Sequence, residues 1–260
     1  MLLCDDGKSI FHLYAQFKRN KKPIQVKLMQ IPPWFSEIRF AFSRKDDGQM
    51  SFKREKKDIV RNNRHHFLTA NSLNINQLVS SELVHGVKIA IVGSDSVSTN
   101  MITISDGLVT SERGILLSTT HADCLPVVLF DRMQNVIGQA HCGWRGLQAG
   151  IISELIDTFR NHRNSKATSI QAWIGPGIGA ECYTVSKDVA EKFPAQFINN
   201  TNGNLNLDLI GFARSELISN GVPTNNITLS NVCTSCQNSF SSYRRDGDGF
   251  NAMLLVTGLM

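Results

Sequence analysis

Apolar residues recur every four positions after Trp144, at Leu147, Ile151, Leu155 and Phe159, with Ile152 and Ile156 widening the stripe. This spacing predicts one amphipathic helix beginning near Trp144. Shorter apolar runs, too brief for helices and bounded by turn residues, predict strands at 38–43, 87–92, 107–110, 115–118, 126–130 and 136–140. Further helices are predicted at 57–71 and at 207–219, the latter stopping at Asn220-Gly221. Strands at 227–232 and 252–256 close the chain. The order has no regular βαβ rhythm. It predicts an α/β (α+β) fold, a single layered domain of mixed β-sheets flanked by helices. Residues 1–30 read as an N-terminal appendage packed on the main domain, with strands at 10–14 and 24–28. Pro32-Pro33 separates it from the main domain at 31–260.

Hydrophobic residues make up 42% of the 260 positions and charged residues 19%, enough apolar surface for a folded core. The net charge is +5, with basic runs at Lys18-Arg19-Asn20-Lys21-Lys22 and Lys53-Arg54-Glu55-Lys56-Lys57. No aromatic residue interleaves the second run, so it reads as solvated surface rather than as a nucleic-acid site. A modest positive field suits a small anionic substrate. No segment reaches the roughly 18 apolar residues of a membrane span. No basic stretch leads into an apolar one at the N-terminus, so the expected location is cytoplasmic. The six cysteines are then expected to be thiols rather than a disulfide framework.

Chemistry gathers where apolar runs end. Cys124 follows Asp123 and precedes a strand. His141 ends a strand and leads into Cys142-Gly143-Trp144-Arg145-Gly146. His85 precedes Gly86. One Cys and two His could hold a catalytic zinc, which needs three protein ligands and an open position. Singly, each has a plain structural alternative: Cys124 as a small buried hydrophobe, His85 as a satisfied histidine. His121 and Cys142 compete for the same metal. Asp123 could act as a ligand, as a partner orienting a histidine, or as an acid/base. Arg145 offers a planar fork for phosphate or carboxylate, beside backbone N–H groups at the expected helix start. Residues 174–179 form a Gly-rich loop without nucleotide-binding spacing. Cys233-Thr234-Ser235-Cys236 reads as a turn with two thiols. Arg244 and Arg245 read as a charged hairpin.

Taken together, the motifs Phe40-Ala41-Phe42-Ser43-Arg44, Val84-His85-Gly86, Asp106-Gly107, residues 122–127, 140–146, 174–183 and 242–247 resemble the YfiH family, also called the laccase-domain or FAMIN family. The resemblance runs from about Trp34 to the C-terminus. It implies a YfiH-like layered domain with a shallow pocket and zinc on His85, Cys124 and His141. It implies phosphorolysis of adenosine, inosine, guanosine and methylthioadenosine, and deamination of adenosine. Purine nucleosides and phosphate are then the expected partners, with no nucleic acid and no membrane. On this reading Asp123, Cys124 and Arg145 are catalytic, and Arg44, His121, Trp144, Arg145, Gly177 and Arg244 contact substrate. Two alternatives stand: a copper-dependent polyphenol oxidase, and a metal-free cysteine hydrolase or amidase using Cys124 and His141.

Overall fold

The computed structural model describes residues 29–98, 102–201 and 203–260. The strands expected at 10–14 and 24–28 lie outside these residues.

The apolar runs become two large mixed sheets. One has six strands in the order Ile227–Leu229, Gln171–Ile174, Leu125–Asp131, Val136–Cys142, Gly107–Thr110 and Ile89–Ile91. The other has five, in the order Ile38–Phe42, Met253–Leu259, Leu116–His121, Leu78–Glu82 and Ile102–Ile104. Burial on both faces explains the unbroken apolar run of Leu125–Asp131, since alternate residues supply two different cores. Val128 and Phe130 join Val79, Leu117, Met253 and Leu255 between the sheets. Leu125, Val127 and Leu129 face the opposite way, against helices Ile151–Arg163 and Leu209–Ser219. Helix Lys57–Ala70 covers the outer face of the five-stranded sheet through Phe67 and Leu68. A small antiparallel sheet of Thr184–Val185, Asn204–Leu207 and Ile198–Thr201 completes the fold. Among the described residues no helix is long and apolar enough to cross a membrane.

The helix predicted from Trp144 is two helices. Trp144–Gln148 stops at Ala149, and Ile151–Arg163 starts after Gly150, whose φ of +92° lies in the left-handed region. Glycine adopts that conformation without the steric cost of a β-carbon. Leu147, Ile151, Leu155 and Phe159 still fall into one core because the break redirects the chain without leaving it. A five-residue helix is too short for its own dipole to hold an anion, so that expectation passes to the Arg145 side chain. Residues 242–247 form a helical turn, Tyr243–Asp246, capped by the Ser242 side chain on the Arg245 N–H, rather than a hairpin.

Candidate metal centre

Strand pairing gathers the site. Leu125–Asp131 and Val136–Cys142 are antiparallel, with Leu125 opposite Cys142 and Pro126 opposite His141. Cys124, just before one strand, therefore meets His141, near the end of the other. Gly107–Thr110 pairs with the far side of Val136–Cys142 and parallel to Ile89–Ile91, bringing the loop at 84–86 to the same sheet end. That loop is held by a buried carboxylate: Asp106 accepts the N–H groups of Val84, His85 and Gly86 at 3.1, 2.7 and 2.7 Å. The three bonds stabilise a φ of +59° at His85, an unusual conformation for a non-glycine residue. Asp106 also accepts the His141 N–H on its own carbonyl, at 2.7 Å.

The ligand atoms of His85, Cys124 and His141 all lie within 4.8 Å of one another. His141 Nδ1 donates to the Thr120 carbonyl at 2.8 Å, which places its proton there and leaves Nε2 as a lone pair. That Nε2 is buried and, among the described residues, has no hydrogen-bond partner. A buried polar atom left unpaired is costly unless something binds it. Gly143 keeps the space open: a β-carbon there would sit 2.9 Å from Cys124 Sγ and 3.7 Å from His85 Nδ1. Burial pulls His141 down to about 4 and pushes the Cys124 thiol up to about 12, with Asp123 adding to the latter. His85 is also lowered, first by desolvation. With no cation bound, the set is two neutral imidazoles and a neutral thiol. The donor set, the orphaned Nε2 and the open cradle fit a metal ion.

The two competitors do not join this set. Cys142 alternates to the opposite strand face and is buried in the helix-side core. His121 has both ring nitrogens engaged. Thr257 donates to Gln139 Oε1, Gln139 Nε2 donates to Thr119 Oγ1, and Thr119 meets His121 Nε2 at 2.8 Å. The Thr119 hydroxyl, already an acceptor, gives its proton to Nε2, and His121 Nδ1–H donates to the Cys124 carbonyl at 3.3 Å.

A cavity of about 660 Å³ opens beside the cluster. His121, Asp123, Trp144, Arg145 and Arg244 line it with His85, Cys124 and His141. Arg145 lies over the Trp144 ring at 4.4 Å. Asp123, at a φ of +78°, accepts from the Thr234 hydroxyl at 2.6 Å and from the Arg244 N–H at 2.7 Å. Arg44 and Gly177, expected at the substrate, are not in the wall. Arg44 lies over the Phe240 ring at 3.9 Å. Gly177 is buried where a β-carbon would overlap the Leu125 side chain, and the loop it belongs to accepts support from the Asp123 carbonyl through the Ile178 N–H. Its role is close packing beneath Asp123 and Cys124.

The expectation that 53–57 is only solvated surface is also corrected at its start. Lys53 and Arg54 line the cavity, and Arg54 lies over the Phe250 ring at 3.9 Å. The buried Arg64 beside them donates to the Met50 carbonyl and Ser80 hydroxyl, and desolvation brings its guanidinium down to about 10, still cationic at neutral pH. Tyr183 and Phe250 supply aromatic wall that sequence reasoning missed, because a lone aromatic has no spacing to betray it. Asp106 was missed as a positioning residue, although an Asp before a Gly at a strand start is a visible signal for a carboxylate turned onto nearby N–H groups.

The fold and this cluster define a mixed α+β protein with a Cys-His-His centre at the edge of a cationic, aromatic cavity. Residues 45–258 match the family model described as "Multi-copper polyphenol oxidoreductase laccase". The chain belongs to this laccase-domain family, which includes YfiH and YlmD proteins. "Purine nucleoside phosphorylase YlmD" of Geobacillus stearothermophilus is 32% identical over 220 residues, spanning 78% of this chain and 80% of YlmD. "Adenosine deaminase RL5", from an unknown prokaryotic organism, is 32% identical over 163 residues, 59% of this chain and 61% of that protein. The crystal structure of YlmD from Geobacillus stearothermophilus has a TM-score of 0.83 at 27% identity, covering 90% of this chain and 99% of that one. The mixed sheets flanked by helices expected from the sequence are those of this family.

Proposed function

We propose that this protein is a zinc-dependent purine nucleoside phosphorylase with adenosine deaminase activity, taking adenosine, inosine, guanosine and methylthioadenosine. One observation carries the reading: the orphaned Nε2 of His141 converges with Cys124 and His85 at the wall of a cavity of nucleoside size. One thiol and two imidazoles suit zinc. When bound, zinc supplies Lewis acidity toward water and polar substrate oxygens.

The chain's own residues supply the rest. In phosphorolysis a phosphate oxygen forms a bond to ribose C1′ as the bond from C1′ to the purine nitrogen breaks, and the departing purine takes a proton. Arg145 is exposed, points its fork over Trp144 and binds phosphate; Arg244 adds a second guanidinium. Trp144, Tyr183 and Phe250 offer flat apolar faces to the purine, with His121 closing the wall. Asp123 holds the proton in transit: each of its oxygens accepts one bond and has capacity for another. Deamination replaces the 6-amino group of adenosine by a water oxygen and uses the same carboxylate.

The metal-free cysteine hydrolase is disfavoured by the same environment. Burial leaves Cys124 as a thiol and His141 as a neutral imidazole, whereas a cysteine nucleophile needs a thiolate. The polyphenol oxidase reading rests on the family model's description alone. Purified protein incubated with adenosine should yield adenine only when phosphate is present, and inosine with or without it. Neither product from zinc-loaded protein would sink the proposal.

A further inference from the structure

A second group of soft ligands lies outside the centre already described. Cys182 follows the Gly-rich loop, and Cys233 and Cys236 belong to the turn that the sequence shows as Cys233-Thr234-Ser235-Cys236. The three Sγ atoms lie within 4.8 Å of one another, with Cys182 and Cys236 at 3.3 Å. Cys182 and Cys236 are 54 residues apart in sequence, so their meeting is tertiary. The isolated bridge between Gly177 and Cys233 brings the two segments together.

Three features suit thiolates. The Gly179 N–H donates to Cys233 Sγ at 3.2 Å. A β-carbon at Gly179 would sit 3.3 Å from Cys233 Cβ and 3.4 Å from Sγ, so glycine permits that approach. The Arg245 guanidinium donates to the carbonyls of Thr234 and Ser235 inside the turn at 2.9 and 3.2 Å, and Arg244 reaches the Cys182 carbonyl at 3.5 Å. Arg245, itself paired with Asp246 at 2.8 Å, thus braces the turn, and Arg244 braces the backbone of Cys182. None of the five cysteines among the described residues forms a disulfide.

We infer that Cys182, Cys233 and Cys236 form a second metal site for a thiophilic d10 ion, zinc(II) or copper(I). Thiolate ligands select these metals. Each thiol gives up its proton on binding. The partly exposed position leaves access for a solvent ligand to complete zinc's preferred four, while copper(I) is satisfied by three thiolates. The site is structural. It staples the segment before Tyr183 to the turn whose Thr234 holds Asp123, and so ties two parts of the cavity wall together.

The test compares full-length wild type with Cys236→Ser, whose altered side chain is exposed, with circular dichroism checking that both are folded. Each is saturated separately with zinc or, anaerobically, with copper(I), dialysed, and its metal content measured. Wild type should hold one more equivalent than Cys236→Ser of zinc, of copper(I), or of each, and every arm that shows the difference names an ion the site takes. The difference is the readout, so it stands whether or not His85, Cys124 and His141 bind metal. Peptide-mapped alkylation provides a second measurement: metal should slow modification of Cys182 and Cys233 at least tenfold in wild type and not in the variant. Equal metal content in both arms, with alkylation unaffected by metal, would overturn the inference.

Discussion

The ring of His121 lies stacked on that of His141, centroids 5.0 Å apart and planes 26° apart, yet of the two only His141 has a buried nitrogen without a partner among the described residues. The two imidazoles share a wall and divide the work. His141 offers a lone pair. His121 ends a buried chain of hydrogen bonds through Thr119, Gln139 and Thr257, and braces both the ring beside it and the Cys124 carbonyl.

His141→Ala should abolish tight zinc binding at this centre, while His121→Ala should keep the stoichiometry and weaken affinity by roughly 10–100-fold, the usual effect of removing a residue that supports a ligand. Zinc competition with a chromophoric chelator measures both. Loss of stoichiometry in His121→Ala would make it a ligand.

Asp106→Ala should cost on the order of 3 kcal/mol of stability, because it removes a charged acceptor from three backbone N–H groups. It should also loosen the left-handed backbone at His85 and lower zinc affinity. Denaturant unfolding of metal-free protein isolates the first effect. Asp106→Asn, which keeps one acceptor oxygen, should lose less.

Arg145→Ala should raise the phosphate KM with little change in the nucleoside KM. Arg145→Lys should recover only part of the loss, since an ammonium keeps the charge but not the planar fork. Steady-state kinetics with each substrate varied in turn separate the two. An unchanged phosphate KM would remove Arg145 from the anion site.

Zinc affinity should rise with pH. Cys124 is a neutral thiol without a cation, raised to about 12 by burial and by Asp123, so binding at neutral pH must expel its proton. His141, drawn down to about 4, is already neutral and releases none. One proton released predicts roughly tenfold tighter binding per pH unit across the neutral range. A pH-independent affinity, measured on Cys236→Ser to disable the second metal site, would show that Cys124 is not a ligand.

What could be read in the sequence follows from how each element is buried. Leu125–Asp131 and Val136–Cys142 announce themselves because both faces are covered, which demands continuous apolar residues. Leu78–Glu82 and Gln171–Ile174 do not, because Ser80, Ser81, Glu82 and Gln171 dilute four- and five-residue strands below any pattern. The expected single helix after Trp144 breaks at Gly150, where a left-handed φ satisfies the chain direction without disturbing the apolar stripe. The Cys-His-His cluster is legible only as three soft side chains at the ends of apolar runs, His85, Cys124 and His141, which the structure brings within 4.8 Å of one another. That Arg44 and Gly177 would leave the cavity, and that Lys53 and Arg54 would enter it, depends on packing between segments far apart in sequence.

The most direct test of the account is ribose 1-phosphate release from inosine and phosphate by one preparation, measured as purified, after chelation, and after zinc is restored. The account predicts product, near-complete loss of it, and recovery, with His141→Ala failing to recover. Undiminished release from metal-free protein, or none from zinc-saturated wild type, would contradict it.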